Sequence, residues 1–370
     1  MDAGKKEGQI LAYAGIFRGT EDQAIAEAFK QATGITFEFV SAASTAPMAQ
    51  RLRTEIQANQ PTADVIEGSS QFIRQLKTEG LFTSVKDKAL PALKEDASVW
   101  KVNPLAMSPD GDISISRPTS QYDGHIVINS NLLQPADYPK SYAELADPKY
   151  KGKLAYVDPK ITGDVAARYT RQGYVGGVWA LKDIHALYAN QAMLLFPGPN
   201  DPGTAAARGE IPIGIGANTG TLAQFAKSGG AIKILAFPDA PIVGNPNTMA
   251  VVKAAPHPNA ALVFMNWFMS KEGQDVINKT QGTSGLRRDV PSYVPDALKA
   301  EVVGGGKRGP MMALTDVQSA LASDLNGIQV FQRLPDGIPL EEFEGKVNAF
   351  IKDWETKQGG PQKEAVVLQE

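Results

Sequence analysis

The chain has 370 residues, more than one hydrophobic core usually serves, and its 43% hydrophobic and 21% charged residues are those of a globular protein rather than a disordered one. Thirty-seven basic against 40 acidic residues leave a net charge of −3, without the broad positive field that non-specific nucleic-acid binding needs. The absence of cysteine excludes disulfides, thiolate metal sites, iron–sulfur clusters and a cysteine nucleophile, and His125, His185 and His257 stand singly, so zinc finds no ligand set.

The N-terminal segment Met1–Gly8 is polar, and the apolar run after it, Ile10–Ala14, is too short for a signal-peptide core. The chain is therefore either cytosolic or an exported protein whose leader has been removed. Ile10–Ala14 predicts a buried strand. After the loop Gly15–Gly19, Thr20 is placed to cap a helix with Gln23 completing a capping box, and Ile25, Ala28, Phe29 and Ala32 give that helix one apolar face ending at Gly34. A strand over Ile35–Val40 follows. Then come the loop Ser41–Thr45, a helix entered through Pro47 with Met48, Leu52 and Ile56 on one face, a strand over Ala63–Ile66 and the loop Gly68-Ser69-Ser70. A helix carrying Phe72, Ile73 and Leu76 closes at Gly80. Strand alternating with helix at this spacing predicts an α/β fold with a parallel sheet covered on both faces.

A second alternating block has apolar runs at Leu154–Val157, Met193–Phe196, Ile211–Ile215 and Ile232–Phe237. Tyr122–Asn129 reads as an extended passage into this block and Asn247–Val252 as the return. These crossovers, at about 122–129 and 240–248, predict a discontinuous first lobe of residues 1–122 and 248–370, with a second lobe of residues 129–240 inserted and a cleft between the two. Helices are expected from Pro258 through Lys279, around Leu314–Leu325 and over Leu340–Trp354. The longest apolar candidate, Ala260–Met269, is interrupted by Asn266 and too short to span a membrane.

Catalytic patterns fail. Gly306-Lys307 lacks the flanking residues of a phosphate loop, Gly214–Gly220 is one residue too long for a dinucleotide fingerprint, and Gly282–Gly285 lacks the spacing of a nucleophile elbow. What remains is a set of Gly-, Ser-, Thr- and Asn-rich loops at the carboxyl ends of strands, each opening a helix. That edge of a parallel sheet is where helix N-termini offer free N–H groups to anions. Gly15, Arg18, Ser44, Thr45, Ser69 and Ser70 are the candidates in the first lobe, with Tyr122 at the start of the crossover. Ser and Thr at such places also serve simply as helix caps, so both readings stand.

Four stretches carry a family resemblance: Ala28–Ile35, Arg51-Leu52 through Ala63-Asp64-Val65, Ser141–Leu145 through Tyr150–Leu154 to Asp158-Pro159, and Gly285–Val290. In their order and spacing the chain resembles the type II periplasmic solute-binding proteins of ABC importers, in the subgroup that includes ferric-ion-, polyamine- and phosphonate-binding proteins. The resemblance implies a two-lobed α/β fold closing on a ligand, export from the cytoplasm, delivery to membrane permease subunits, a monomeric state and no cofactor.

It also matches Thr162-Gly163-Asp164, Asn200 and Asn218 to the places that hold a phosphate-like anion in the iron-binding branch. That branch requires adjacent tyrosines after the second asparagine, where this chain has Thr219-Gly220-Thr221, and a first-loop metal ligand, where it has Ala14-Gly15-Ile16. Ferric ion is therefore not the expected cargo. A small organic anion bearing a carboxylate, phosphonate or phosphate suits these loops, with Thr219 as a further contact. Polyamine binding, for which Glu67 and Asp158 would supply acid groups, is the alternative within the family. A cofactor-independent enzyme on the same bilobal fold would need an acid–base pair that the sequence does not display. A transcription-factor effector domain would need a helix-turn-helix segment for which no residues are left.

Overall fold

The apolar runs become strands and the amphipathic stretches helices in a computed structural model that describes residues 1–17, 19, 22–42, 45–88, 90–105, 108, 110–117, 126–160, 171, 173–198, 201–216, 222, 225–226, 228–238, 242–244, 247–305, 309, 311–314, 316–357 and 366–368. The chain runs through α1 (Asp2–Glu7), β1 (Gln9–Ala14), α2 (Gln23–Thr33), β2 (Thr36–Val40), α3 (Thr45–Gln57), β3 (Val65–Ser69), α4 (Ser70–Thr78), β4 (Phe82–Thr83) and β5 (Ser114–Arg117). It continues as β6 (Ile126–Asn129), β7 (Leu154–Val157), α5 (Leu181–Asn190), β8 (Leu194–Phe196), α6 (Asp201–Arg208), β9 (Ile213–Ile215), β10 (Ile232–Ala236) and β11 (Ile242–Gly244). After β12 (Asn247–Val252) come α7 (Pro258–Met269), α8 (Lys271–Gln281), β13 (Glu301–Val302), β14 (Met311–Ala313), α9 (Asp316–Asp324), α10 (Leu340–Lys357) and β15 (Val366–Leu368). These elements form two units, Met1–Ser120 with Asn245–Val294, and Gln121–Gly244 with Pro295–Glu370.

In unit 1 the sheet order is β2-β1-β3-β12-β4, with β5 also on β12. β1 runs parallel to β2 and β3, so the carboxyl ends of these three strands share one edge, while β12 runs antiparallel to β3. Aromatic rings fill the space between this sheet and the helices. Phe29 and Phe37 lie 5.4 and 4.6 Å from Phe264, and Phe17 meets Phe37 edge-on at 5.3 Å. Gly34 ends α2 in the left-handed region at φ 75°, as its position after the apolar face suggested. α2 is preceded by Asp22, whose Oδ1 accepts from Gln281 Nε2 at 3.1 Å, while Thr20, the expected cap, lies outside the described residues.

Two further expectations are corrected. β3 continues through Gly68 and Ser69, because pairing with Thr248 and Asn247 of β12 holds these residues extended. The helix expected over Pro258–Lys279 is two helices. Ser270 breaks it in extended conformation and caps α8 by accepting from Gly273 N–H at 3.1 Å. A Cβ on Gly273 would lie 2.0 Å from the Trp267 carbonyl oxygen, so the junction tolerates no side chain there.

Unit 2 holds a sheet of order β13-β10-β6-β9-β7-β8, in which β7 is parallel to β8 and β9 while β6 is antiparallel to β9 and β10. The sequence assigned residues 295–370 to the first lobe, and the structure places them here. Leu325, Val330, Phe331, Phe343 and Val347 share one buried cluster with Ile126, Leu154, Tyr156 and Ile213. Arg171 Nε donates to the Ala322 carbonyl at 3.0 Å, and His185 Nε2 donates to the Ile338 carbonyl at 2.6 Å. Burial of these large side chains against the second sheet outweighs the short chain distance to unit 1.

The segment Gly285–Val290 stitches unit 1 together. Arg287 is 2% exposed, and its guanidinium reaches Glu95 at 2.6 Å, Asp289 at 2.8 Å and the Met269 carbonyl at 3.2 Å while lying 4.9 Å over the Trp100 ring. Replacing it with alanine removes the cation between two carboxylates and empties its volume. Arg287→Ala should cost about 3 kcal/mol in urea unfolding, and Arg287→Lys nearly as much because an ammonium cannot form the planar fork. A lysine variant as stable as the parent would show that charge alone suffices.

Candidate ligand-binding site

The parallel arrangement of β1, β2 and β3 delivers three chain segments to one edge of unit 1. These are the loop Gly15-Ile16-Phe17 after β1, the start of α3 at Thr45, and the junction of β3 with α4 at Ser69-Ser70. Phe17 anchors the first loop, fully buried among Phe37, Phe39 and Phe268. Gly15 N–H donates to the Glu67 carbonyl at 3.2 Å, which extends the β1–β3 ladder by one step past Ala14.

Thr45 and Ser69 are linked directly. The Thr45 hydroxyl accepts from Ser69 N–H at 2.8 Å, and both residues are buried. This contact needs Gly68, since a Cβ there would sit 2.3 Å from Thr45 Oγ1. Ser69 is the N-cap of α4 by backbone geometry, φ −55° and ψ 128°, but its side chain makes no capping hydrogen bond. Ser70, the first residue of α4, is completely buried. The simple capping reading therefore fails for Ser69, and for Thr45 it gives way to a cross-link between the starts of two helices.

Beneath this edge lies Glu67, completely buried on β3. Its Oε2 accepts from Ile16 N–H at 3.1 Å and its Oε1 from the Ser116 hydroxyl at 2.9 Å, and the Asn247 side chain bonds it as well. Burial pushes its carboxyl above the usual carboxylate range, while the Arg117 charge and these hydrogen bonds pull the other way. Sequence reasoning named Glu67 as an acid that could meet a polyamine, and the structure shows it engaged internally. Ser116, Arg117 and Asn247, which complete its surroundings, went unnoticed, as did Gln281, which donates to the Ile16 carbonyl. The one sequence signal for them was the alternation Ile113-Ser114-Ile115-Ser116, which predicts a strand with one polar face.

In unit 2, Asp158 follows β7 and its Oδ1 accepts from Lys160 N–H at 2.9 Å. Burial pushes the neighbouring Tyr188 phenol well above its ordinary value, the Asp158 charge adding and Arg171 opposing. Gly198 N–H donates to Asp201 Oδ2 at 3.0 Å at the start of α6. Of the sequence candidates, Gly15, Thr45, Ser69 and Ser70 come together at the edge of unit 1. Arg18, Ser44, Tyr122, Thr162, Gly163, Asp164, Asn200, Asn218 and Thr219 lie outside the described residues. Among the described residues no group of three or more His, Asp or Glu side chains is arranged to hold a metal ion, and no helix is long and apolar enough to cross a membrane.

Residues 24–302 match the family model described as bacterial extracellular solute-binding protein. The chain belongs to that family. It is 27% identical over 309 residues to a putative 2-aminoethylphosphonate-binding periplasmic protein of Salmonella typhi, covering 81% of this chain and 84% of that one. Among solved structures, iron-bound HitA from Pseudomonas aeruginosa superposes with a TM-score of 0.65 at 21% identity, covering 88% of this chain and 98% of that one. AfuA from Actinobacillus pleuropneumoniae, solved with exogenous fructose-6-phosphate bound, gives 0.61 at 20% identity, covering 89% and 97%. The fold is thus the two-lobed α/β fold of periplasmic binding proteins. This solute-binding protein is a component of an ABC import system and not an enzyme.

The Thr45–Gly68 contact is directly testable. Gly68→Ala should destabilise this solute-binding protein by about 1–3 kcal/mol, and by clearly less in a Thr45→Ala background, because the clashing hydroxyl is then gone. Equal costs in the two backgrounds, measured by urea unfolding, would show that the close approach does not set the requirement for glycine.

Proposed function

We propose that this protein captures a small organic anion bearing a phosphonate, phosphate or carboxylate group and hands it to the permease of its importer. The observation that carries this reading is the state of Glu67. This acid, which a polyamine would need, is completely buried and engaged by donors of the chain itself. At the edge above it Thr45, Ser69 and Ser70 are neutral and buried, and α4 begins there with the positive end of its dipole. The names of the relatives, one for 2-aminoethylphosphonate and one solved with a sugar phosphate, point to the same chemistry. In this reading the protein is exported, works as a monomer and uses no cofactor. Gly15, Arg18, Ser44, Thr45, Ser69, Ser70 and Tyr122 contribute from the first segment of the chain, and Thr162, Gly163, Asp164, Asn200, Asn218 and Thr219 from the second.

A ligand present at about 100 times its dissociation constant adds about 2.7 kcal/mol to stability, which for a protein of this size means a rise of at least roughly 2 °C in Tm. In a thermal-shift screen, 2-aminoethylphosphonate, fructose-6-phosphate and small carboxylates are expected to include the hits, with spermidine, putrescine and ferric citrate giving none. Hits confined to the polyamines would refute the anion reading, and a charge-transfer band with one iron per chain would return ferric ion to the candidates.

Charge-assisted hydrogen bonds are worth about 1.5–3 kcal/mol each, so Thr162→Ala and Asn218→Ala should each weaken binding of the screened anion by about tenfold or more while leaving Tm unchanged. Calorimetry measures this. Unchanged affinity in both variants would mean that these residues order turns and do not touch the ligand.

A further inference from the structure

Glu67 is placed where three separate segments of unit 1 converge. Oε2 holds the first loop through Ile16 N–H, and the backbone carbonyl of the same residue holds Gly15 N–H. Oε1 holds Ser116, next to Arg117 at the end of β5, three residues before the chain leaves unit 1 after Ser120. Asn247, which also bonds the carboxylate, opens β12 two residues after the chain re-enters unit 1 at Asn245. The first loop is clamped from its other side as well, since Gln281 Nε2 on α8 donates to the Ile16 carbonyl at 2.8 Å and to Asp22 Oδ1 at 3.1 Å.

We propose that Glu67 is a positioning residue for ligand capture: one buried carboxylate that holds the first strand-end loop in register with both passages of the chain out of and into unit 1. A backbone contact could tie two of these segments, but a carboxylate with two oxygens and several lone pairs can accept from all three at once. The groups around it are donors or a cation, Ile16 N–H, the Ser116 hydroxyl, the Asn247 amide and Arg117, so an acceptor-only group is what the site fits. A glutamine in the same place would turn an N–H toward one of these donors. An aspartate, one methylene shorter, would reach fewer of them. A shift of the first loop therefore cannot occur without a shift at Ser116 and Asn247. The link to capture rests on the reading that the first loop touches the ligand, whereas the mechanical coupling does not.

Hydrogen-exchange mass spectrometry on the unliganded full chain tests the coupling without any ligand. In Glu67→Gln, amides of Gln9–Phe17, Ser114–Arg117 and Asn247–Val252 should exchange about tenfold faster together, while Val99–Lys101 and Leu286–Arg288 keep their protection. Ser116→Ala removes a single donor and decides the matter if the glutamine variant does not fold: exchange must then rise at Gly15 and Ile16, on a different segment from the substitution. Loosening confined to the substituted strand, or spread evenly over unit 1, would overturn the proposal. In a second arm, calorimetry with 2-aminoethylphosphonate compares the parent with Ser116→Ala, and affinity should fall about tenfold with the Tm nearly unchanged. If the parent binds and the variant binds equally well, the link to capture is wrong. If the parent does not bind this probe, the assigned ligand fails, and the exchange arm still decides the role of Glu67.

Discussion

A carboxylate taken out of water must be met by donors or it destabilises the fold by several kcal/mol, and unit 1 is arranged around that constraint at Glu67. The parallel register that sets Ala14 opposite Glu67 carries the backbone of the first loop over the carboxylate, and the antiparallel return of β12 brings Asn247 to it. Ser116 arrives from β5, which pairs with the same strand. Four stretches of sequence thus meet at one point, and none can be displaced without leaving an oxygen or an N–H unpaired in the interior.

With the acid engaged below it, the edge of unit 1 carries the buried residues Thr45, Ser69 and Ser70 and the N-terminus of α4, whose dipole favours negative charge. Gly68 and Thr45 tighten the same edge by locking the start of α3 to the end of β3. Phe17 in its aromatic nest and the clamp from Gln281 hold the first loop on the body of unit 1.

The bonds that make unit 1 one body span long distances in the chain. Arg287 joins Glu95, Trp100 and Met269, and Asp64 accepts from the backbone N–H of both Leu11 and His257 at 2.8 and 2.6 Å. His257 and His185, isolated in the sequence, prove to be structural donors. Their partners are a carboxylate and a carbonyl that lie 193 and 153 residues away, which no local pattern could have signalled.

What the sequence determined alone is local. The alternation of apolar runs with amphipathic stretches specified the strands and most of the helices, and the glycine after α2 marked its end, because period and backbone freedom are properties of a few adjacent residues. The small-residue loops at strand ends, and the order of motifs that carries the family, were legible for the same reason. Tertiary structure decided the rest. Residues beyond 294 form amphipathic helices that suit either sheet in pattern. Their place in unit 2 follows from the fit of Phe331, Phe343 and Val347 against Ile126 and Leu154, a complementarity of shape that no periodicity encodes. Glu67 reads in sequence as an acid near a binding loop. Its role as an internal acceptor is a consequence of burial and of donors brought from residues 16, 116 and 247, and only the folded chain puts those three together.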